Sequence, residues 1–91
     1  GVTWRVLPTP GHSPGSLTFY APDLGAAFVG DLIFRQSVGR TDFPGGSTAV
    51  LVKSVKEHIF TLPPETVLYS GHGPKTTVAE EVRKNPYIPK D

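Results

Sequence analysis

The run SLTFYAPDLGAAFVG, residues 16–30, decides the architecture. It holds two β-prone segments, 16–21 and 26–30, on either side of Pro22-Asp23-Leu24-Gly25. Pro early in a turn presets its φ, and Gly at the end tolerates a left-handed backbone. The pattern predicts a tight reversal joining two antiparallel strands. Ala26 to Val29 carries no polar side chain, which predicts a strand buried on both faces.

Upstream, residues 2–7 mix β-branched and aromatic side chains and predict a first strand, and 8–15 form a stiff Pro- and Gly-bearing loop. Downstream, Leu32-Ile33-Phe34 extends the apolar run, and an irregular stretch ends in Pro44-Gly45-Gly46. Ser47 is a candidate N-cap. Leu51, Val55, Ile59 and Leu62 then recur at helical spacing, with Lys53, Lys56 and Glu57 on the other side. That predicts a helix over 48–62, about 20 Å long, stopped by Pro63-Pro64. A fourth strand follows over 66–70. Thr77-Val78-Ala79-Glu80 reads as a capping box opening a short helix, which Asn85-Pro86 closes.

The order β-β-β-α-β-α gives an α/β (α+β layered) class: one β-sheet with helices on one face. Trp4, Phe19, Phe28 and Phe60 are candidate core residues, His58 a packing or surface residue, and Lys75, Lys84 and Lys90 solvated. A two-layer arrangement leaves the other apolar sheet face uncovered, so a missing half or a second chain is expected to cover it.

At 91 residues the chain makes one domain. It lacks cysteine, so no disulfide compensates for a small core; this fits a reducing compartment and suggests a cytoplasmic location. A net charge of +1 with mixed signs argues against a nucleic-acid partner, and no apolar run is long enough for a membrane span. The chain has no Met and opens on a strand-like run, which together suggest an excerpt of a longer protein. Gly and Pro number ten each and gather at discrete loops, the segments where function concentrates.

Three of those loops follow strands and hold possible metal ligands. In Thr9-Pro10-Gly11-His12-Ser13-Pro14-Gly15 the two prolines stiffen the backbone around His12. A ligand needs such restraint to place its nitrogen about 2.0–2.1 Å from an ion. In Gly30-Asp31 a carboxylate interrupts an apolar run, which is costly unless it is paired or coordinated; its two oxygens suit a bridge between two ions. In Gly71-His72-Gly73-Pro74 the flanking glycines let another group approach the imidazole. All three lie at the C-terminal ends of expected strands, the rim that layered α/β proteins use for their sites. Two His and one Asp alone suit either an iron facial triad or part of a zinc site.

Thr-Pro-Gly-His12-Ser-Pro-Gly-Ser, Val-Gly-Asp31-Leu-Ile-Phe and Ser-Gly-His72-Gly-Pro, in this order and spacing, resemble the later metal-binding motifs of the metallo-β-lactamase superfamily. Gly39-Arg40-Thr41-Asp42, Pro44-Gly45-Gly46 and the stretch from Glu80 to Pro86 resemble its small glyoxalase II-like (hydroxyacylglutathione hydrolase-like) members. The resemblance implies that residues 1–91 are the C-terminal half of a four-layer αββα sandwich. It also implies an upstream His-x-His-x-Asp-His motif, which this sequence does not contain. His12 would complete the first metal site, Asp31 would bridge the two metals and act in catalysis, and His72 would join the second.

The implied cofactor is a pair of divalent metal ions, zinc first, with iron or manganese also possible. The implied activity is hydrolysis of small-molecule glutathione thioesters such as S-lactoylglutathione by the complete protein, the isolated chain being inactive. Two other readings stand beside it. One is a mononuclear iron, persulfide dioxygenase-like enzyme, toward which Phe43 and residues 58–63 lean, whereas Gly71-His72-Gly73-Pro74 favours the hydrolase. The other is a non-catalytic fragment or half-fold subunit.

Overall fold

A computed structural model describes residues 2–42 and 44–89; Phe43 and Lys90, both read from sequence above, lie outside them. The elements are β1 (Arg5–Pro8), β2 (Leu17–Ala21), β3 (Ala26–Gly30), β4 (Ile33–Phe34), β5 (Ser37–Val38), α1 (Thr48–Ser54), β6 (Val67–Ser70), β7 (Thr76–Thr77) and α2 (Val78–Lys84). The main sheet has the order β1-β2-β3-β6-β7. The β1–β2, β2–β3 and β6–β7 pairs are antiparallel, and β3–β6 is parallel. β4 and β5 form a separate hairpin.

The reversal inside 16–30 forms as the sequence predicts. Pro22–Leu24 make one 3-10 turn, and Gly25 takes φ 59°, a left-handed value that costs glycine little. β1 starts three residues later than expected, at Arg5, and ends on Pro8. Proline cannot donate to a ladder, and β1 is an edge strand, where that loss is tolerated.

Ser47 caps α1 by accepting from the Val50 N–H at 3.3 Å, and Thr77 caps α2 by accepting from Glu80 at 3.2 Å. The first helix is not regular to residue 62. After Ser54 it widens into a π turn over Val55–Ile59, where the Phe60 N–H reaches the Val55 carbonyl at 2.9 Å.

Both helices lie on one sheet face. Leu51, Val55, Ile59 and Val78 share a buried cluster with Tyr20, Ala27, Val29 and Leu68 of the sheet. The opposite face is bare. Cross-strand partners Val6, Phe19, Phe28 and Tyr69 form a row over four strands, and all are exposed, Val6 most at 54%. Trp4 packs on Phe28 with ring centroids 5.6 Å apart, and Phe28 stacks on Tyr69 at 5.2 Å.

Trp4, Phe19 and Phe28 are therefore not core, and β3 exposes Phe28 where burial on both faces was expected. The pleat sends alternate side chains to opposite faces, and among the described residues no layer covers the second. Phe60 is partly buried against the core, as expected in kind.

Candidate metal centre

β1 and β3 are each antiparallel to β2, and β6 is parallel to β3. All three strands therefore run the same way. The loops that follow them carry His12, Asp31 and His72, and they open on one rim of the sheet.

The His12 loop is fixed from the helix side. The Ser54 hydroxyl donates to the Pro10 carbonyl at 2.7 Å, and the Ser47 N–H donates to the Gly11 carbonyl at 2.8 Å. Gly11 has φ 140°, and a Cβ there would stand 2.3 Å from the Leu51 Cα. Only glycine lets the loop lie this close to α1. Below it, the Thr9 and Thr18 hydroxyls bond at 3.0 Å and tie the end of β1 to β2.

The structure brings the three sequence-derived residues together around Asp31. Its Oδ2 lies 3.6 Å from His12 Nε2, and its Oδ1 lies 3.0 Å from His72 Nδ1. One carboxylate oxygen thus faces each imidazole. The His72 contact is a hydrogen bond; the His12 separation exceeds one. Gly71 makes room for this: a Cβ there would sit 3.0 Å from Asp31 Oδ1.

The ring of His12 has a defined orientation. Its Nδ1 lies 2.8 Å from the Arg40 carbonyl. A carbonyl only accepts, so Nδ1 is the donor there, and Nε2 is the nitrogen turned toward Asp31. Metal-binding histidines use the same device, one nitrogen bonded to backbone oxygen and the other presented to the ion.

Three further residues contribute to the site. Phe34 meets His72 edge-on, centroids 6.3 Å apart. Gly39 packs against the Asp31 carbonyl and the His12 ring. Arg40 acts through its main chain, while its guanidinium donates to Asp42 at 3.0 and 3.3 Å. That hydrogen bond, a backbone bond and the attraction of the charges, in that order, hold the Asp42 carboxyl below its ordinary range. Gly39 and Arg40 stood in a motif already noted, but a carbonyl contact leaves no side-chain signature.

His12, Asp31, Phe34, Gly39, Arg40 and His72 line an open cavity of about 280 Å³. Imidazole nitrogens and a carboxylate are the donors that first-row divalent ions accept, and the orientation of His12 fits such an ion. Among the described residues, however, no three His, Cys, Asp or Glu are gathered closely enough to hold a metal by themselves. The donors fit part of a metal site that needs further ligands.

Comparison with known proteins agrees with this geometry. The chain is 45% identical to the probable metallo-hydrolase YqgX of Bacillus subtilis over 92% of its own length and 40% of that protein's. It is 36% identical to the hydroxyacylglutathione hydrolase GloC of Haemophilus influenzae over 97% of its length and 42% of the relative's. It thus spans about two fifths of the curated relatives it matches. Among solved structures it superposes on TTHA1623 in a di-iron-bound form with a TM-score of 0.89 and 49% identity, covering 93% of this chain and 42% of that one. It superposes on ETHE1 from Myxococcus xanthus with a TM-score of 0.87 and 39% identity, covering 93% and 39%. The family model described as metallo-beta-lactamase superfamily matches residues 1–72, the stretch that carries His12, Asp31 and His72, and the chain belongs to that superfamily.

Proposed function

We propose that residues 1–91 are the C-terminal half of a metallo-hydrolase, and that the complete protein hydrolyses glutathione thioesters. The observation that carries this reading is Asp31, with one carboxylate oxygen turned to each of two imidazoles. That arrangement would suit a carboxylate shared between two ions, His12 serving one and His72 the other. The likeness to a hydroxyacylglutathione hydrolase supports the substrate class.

Two bound ions would supply a water nucleophilic at neutral pH and polarise the thioester carbonyl. This chain's part is to hold donors in place. The Arg40 carbonyl fixes the His12 ring, Asp31 stands between the two rings, and Phe34 borders His72. Zinc is our first assignment; the di-iron form of a relative supports iron as well, and Asp31 offers the carboxylate oxygens that manganese prefers. The remaining ligands would come from an upstream half bearing His-x-His-x-Asp-His, which would also cover the bare aromatic face. A cysteine-free chain and a glutathione-derived substrate both suit the cytoplasm.

The test is thiol release from S-lactoylglutathione by the complete protein, loaded in turn with zinc, iron and manganese. Turnover should appear in the complete protein, vanish in Asp31→Ala, and be absent from the isolated 91 residues. Oxygen uptake with glutathione persulfide and no thiol release would overturn the hydrolase reading. Turnover surviving Asp31→Ala would overturn the role given to that residue.

A further inference from the structure

We propose that Glu81 and Asn85 are positioning residues for the metal centre, acting on the orientation of His12 through the β4–β5 hairpin. Both lie on the inner stripe of α2 and just beyond it, 1% and 3% exposed. A buried carboxylate is costly unless its oxygens are satisfied. Here they accept three bonds. Oε1 receives the Gln36 N–H at 2.9 Å and the Asn85 amide at 2.9 Å, and Oε2 receives the Thr76 hydroxyl at 2.6 Å. The Asn85 amide also donates to the Ser37 carbonyl at 2.9 Å.

Two of these bonds grip the main chain at the hairpin's tip. Gln36 has φ 60°, the single non-glycine with a left-handed backbone among the described residues. Its N–H needs an acceptor that the two-residue strands do not provide, and Glu81 is that acceptor.

The other end of the hairpin is the metal centre. Asp31 lies two residues before β4, and Gly39 and Arg40 follow β5 directly. The Gly39 N–H closes the base on the Leu32 carbonyl at 3.1 Å, and the Arg40 carbonyl receives the His12 Nδ1 proton. A rotation of the tip is therefore carried through two paired strands to the carbonyl that orients His12. Interlocked polar groups of this kind act as a unit. The functional meaning rests on reading His12 as a ligand; the orientation of its ring can be measured without metal or substrate.

The experiment uses the complete protein, metal-stripped and labelled with nitrogen-15 in histidine, with His12 assigned by His12→Gln. In the unsubstituted protein, the His12 Nδ1–H should give a resolved ring N–H resonance, moved downfield by its bond to the Arg40 carbonyl. Glu81→Ala and Asn85→Ala should reduce that downfield displacement by half or more, and weaken zinc binding by about tenfold, the low end for an outer partner. Glu81→Gln keeps an acceptor oxygen and should retain most of both. Ile59→Val, a buried change away from the clamp, should lower the melting temperature without moving His12.

Folded clamp variants whose His12 resonances stay put would overturn the proposal, as would an equal shift in Ile59→Val. Where Glu81→Ala does not fold, Asn85→Ala decides, since it leaves the carboxylate in place. A ring that moves while zinc affinity holds would support the clamp and count against His12 as a ligand.

Discussion

Gly39 lies so close to Asp31 that a Cβ built on it would stand 1.7 Å from the Asp31 carbonyl oxygen and 3.2 Å from His12 Nδ1. Backbone atoms cannot step aside as a flexible side chain would. Gly39→Ala should therefore destabilise the fold by about 1–3 kcal/mol, the usual cost of overpacking. Metal affinity should fall with it, because the displaced segment carries Asp31. Chemical denaturation and metal titration on the same sample check both; an alanine variant with unchanged stability would contradict the packing.

Ser47 joins two jobs, capping α1 with its hydroxyl and holding the His12 loop through its N–H. Ser47→Ala removes only the first. The expected loss is about 1 kcal/mol, read as a lower denaturation midpoint with an unchanged slope, while His12 keeps its place. Ser47→Pro would remove the N–H as well and should disturb the loop.

Phe28 sits at the centre of the bare aromatic row, between Trp4 and Tyr69. In the isolated chain Phe28→Ser should cost about 1 kcal/mol, the worth of its ring contacts, and should reduce binding of a hydrophobic dye. In the complete protein the same substitution should cost about 3–5 kcal/mol, as for a buried aromatic. Equal losses in the two backgrounds would show that nothing covers this face.

The Arg40–Asp42 contact makes a pH prediction whose sign is fixed. Asp42 is held below its ordinary pKa, chiefly by the Arg40 hydrogen bond. Its contribution to loop order is therefore present above the ordinary carboxylate range and is lost as pH falls through the depressed value. Both side chains are well exposed, 77% and 70%, so the effect on stability is small and salt weakens it. A carboxyl carbon-13 titration should show the depressed midpoint, and Arg40→Gln should return it toward the ordinary value.

The rim loops and the 16–30 hairpin were legible because each carries a local physical signal: proline, glycine, or a carboxylate inside an apolar run. What misled was context. Trp4, Phe19 and Phe28 have core composition, and nothing local distinguishes a face covered by this chain from one it leaves bare. The β4–β5 hairpin was invisible because two-residue strands show no alternation, and Gln36 stands where glycine would have announced the turn. The widening of the helix after Ser54 has no mark in the sequence that we can identify. Glu81 and Asn85 could have been found: with Val78 they share one helical stripe, so two polar residues fall where apolar ones were due.

The sheet's two borders differ in kind from its bare face. One border strand terminates in Pro8, and the other is only Thr76 and Thr77. Neither offers a long ladder of unpaired amides for lateral growth. Any self-association of the isolated chain is therefore expected to run through the aromatic surface, where one pairing covers both bare faces. Finite sandwiches, rather than ribbons or fibrils, are the assemblies this topology favours.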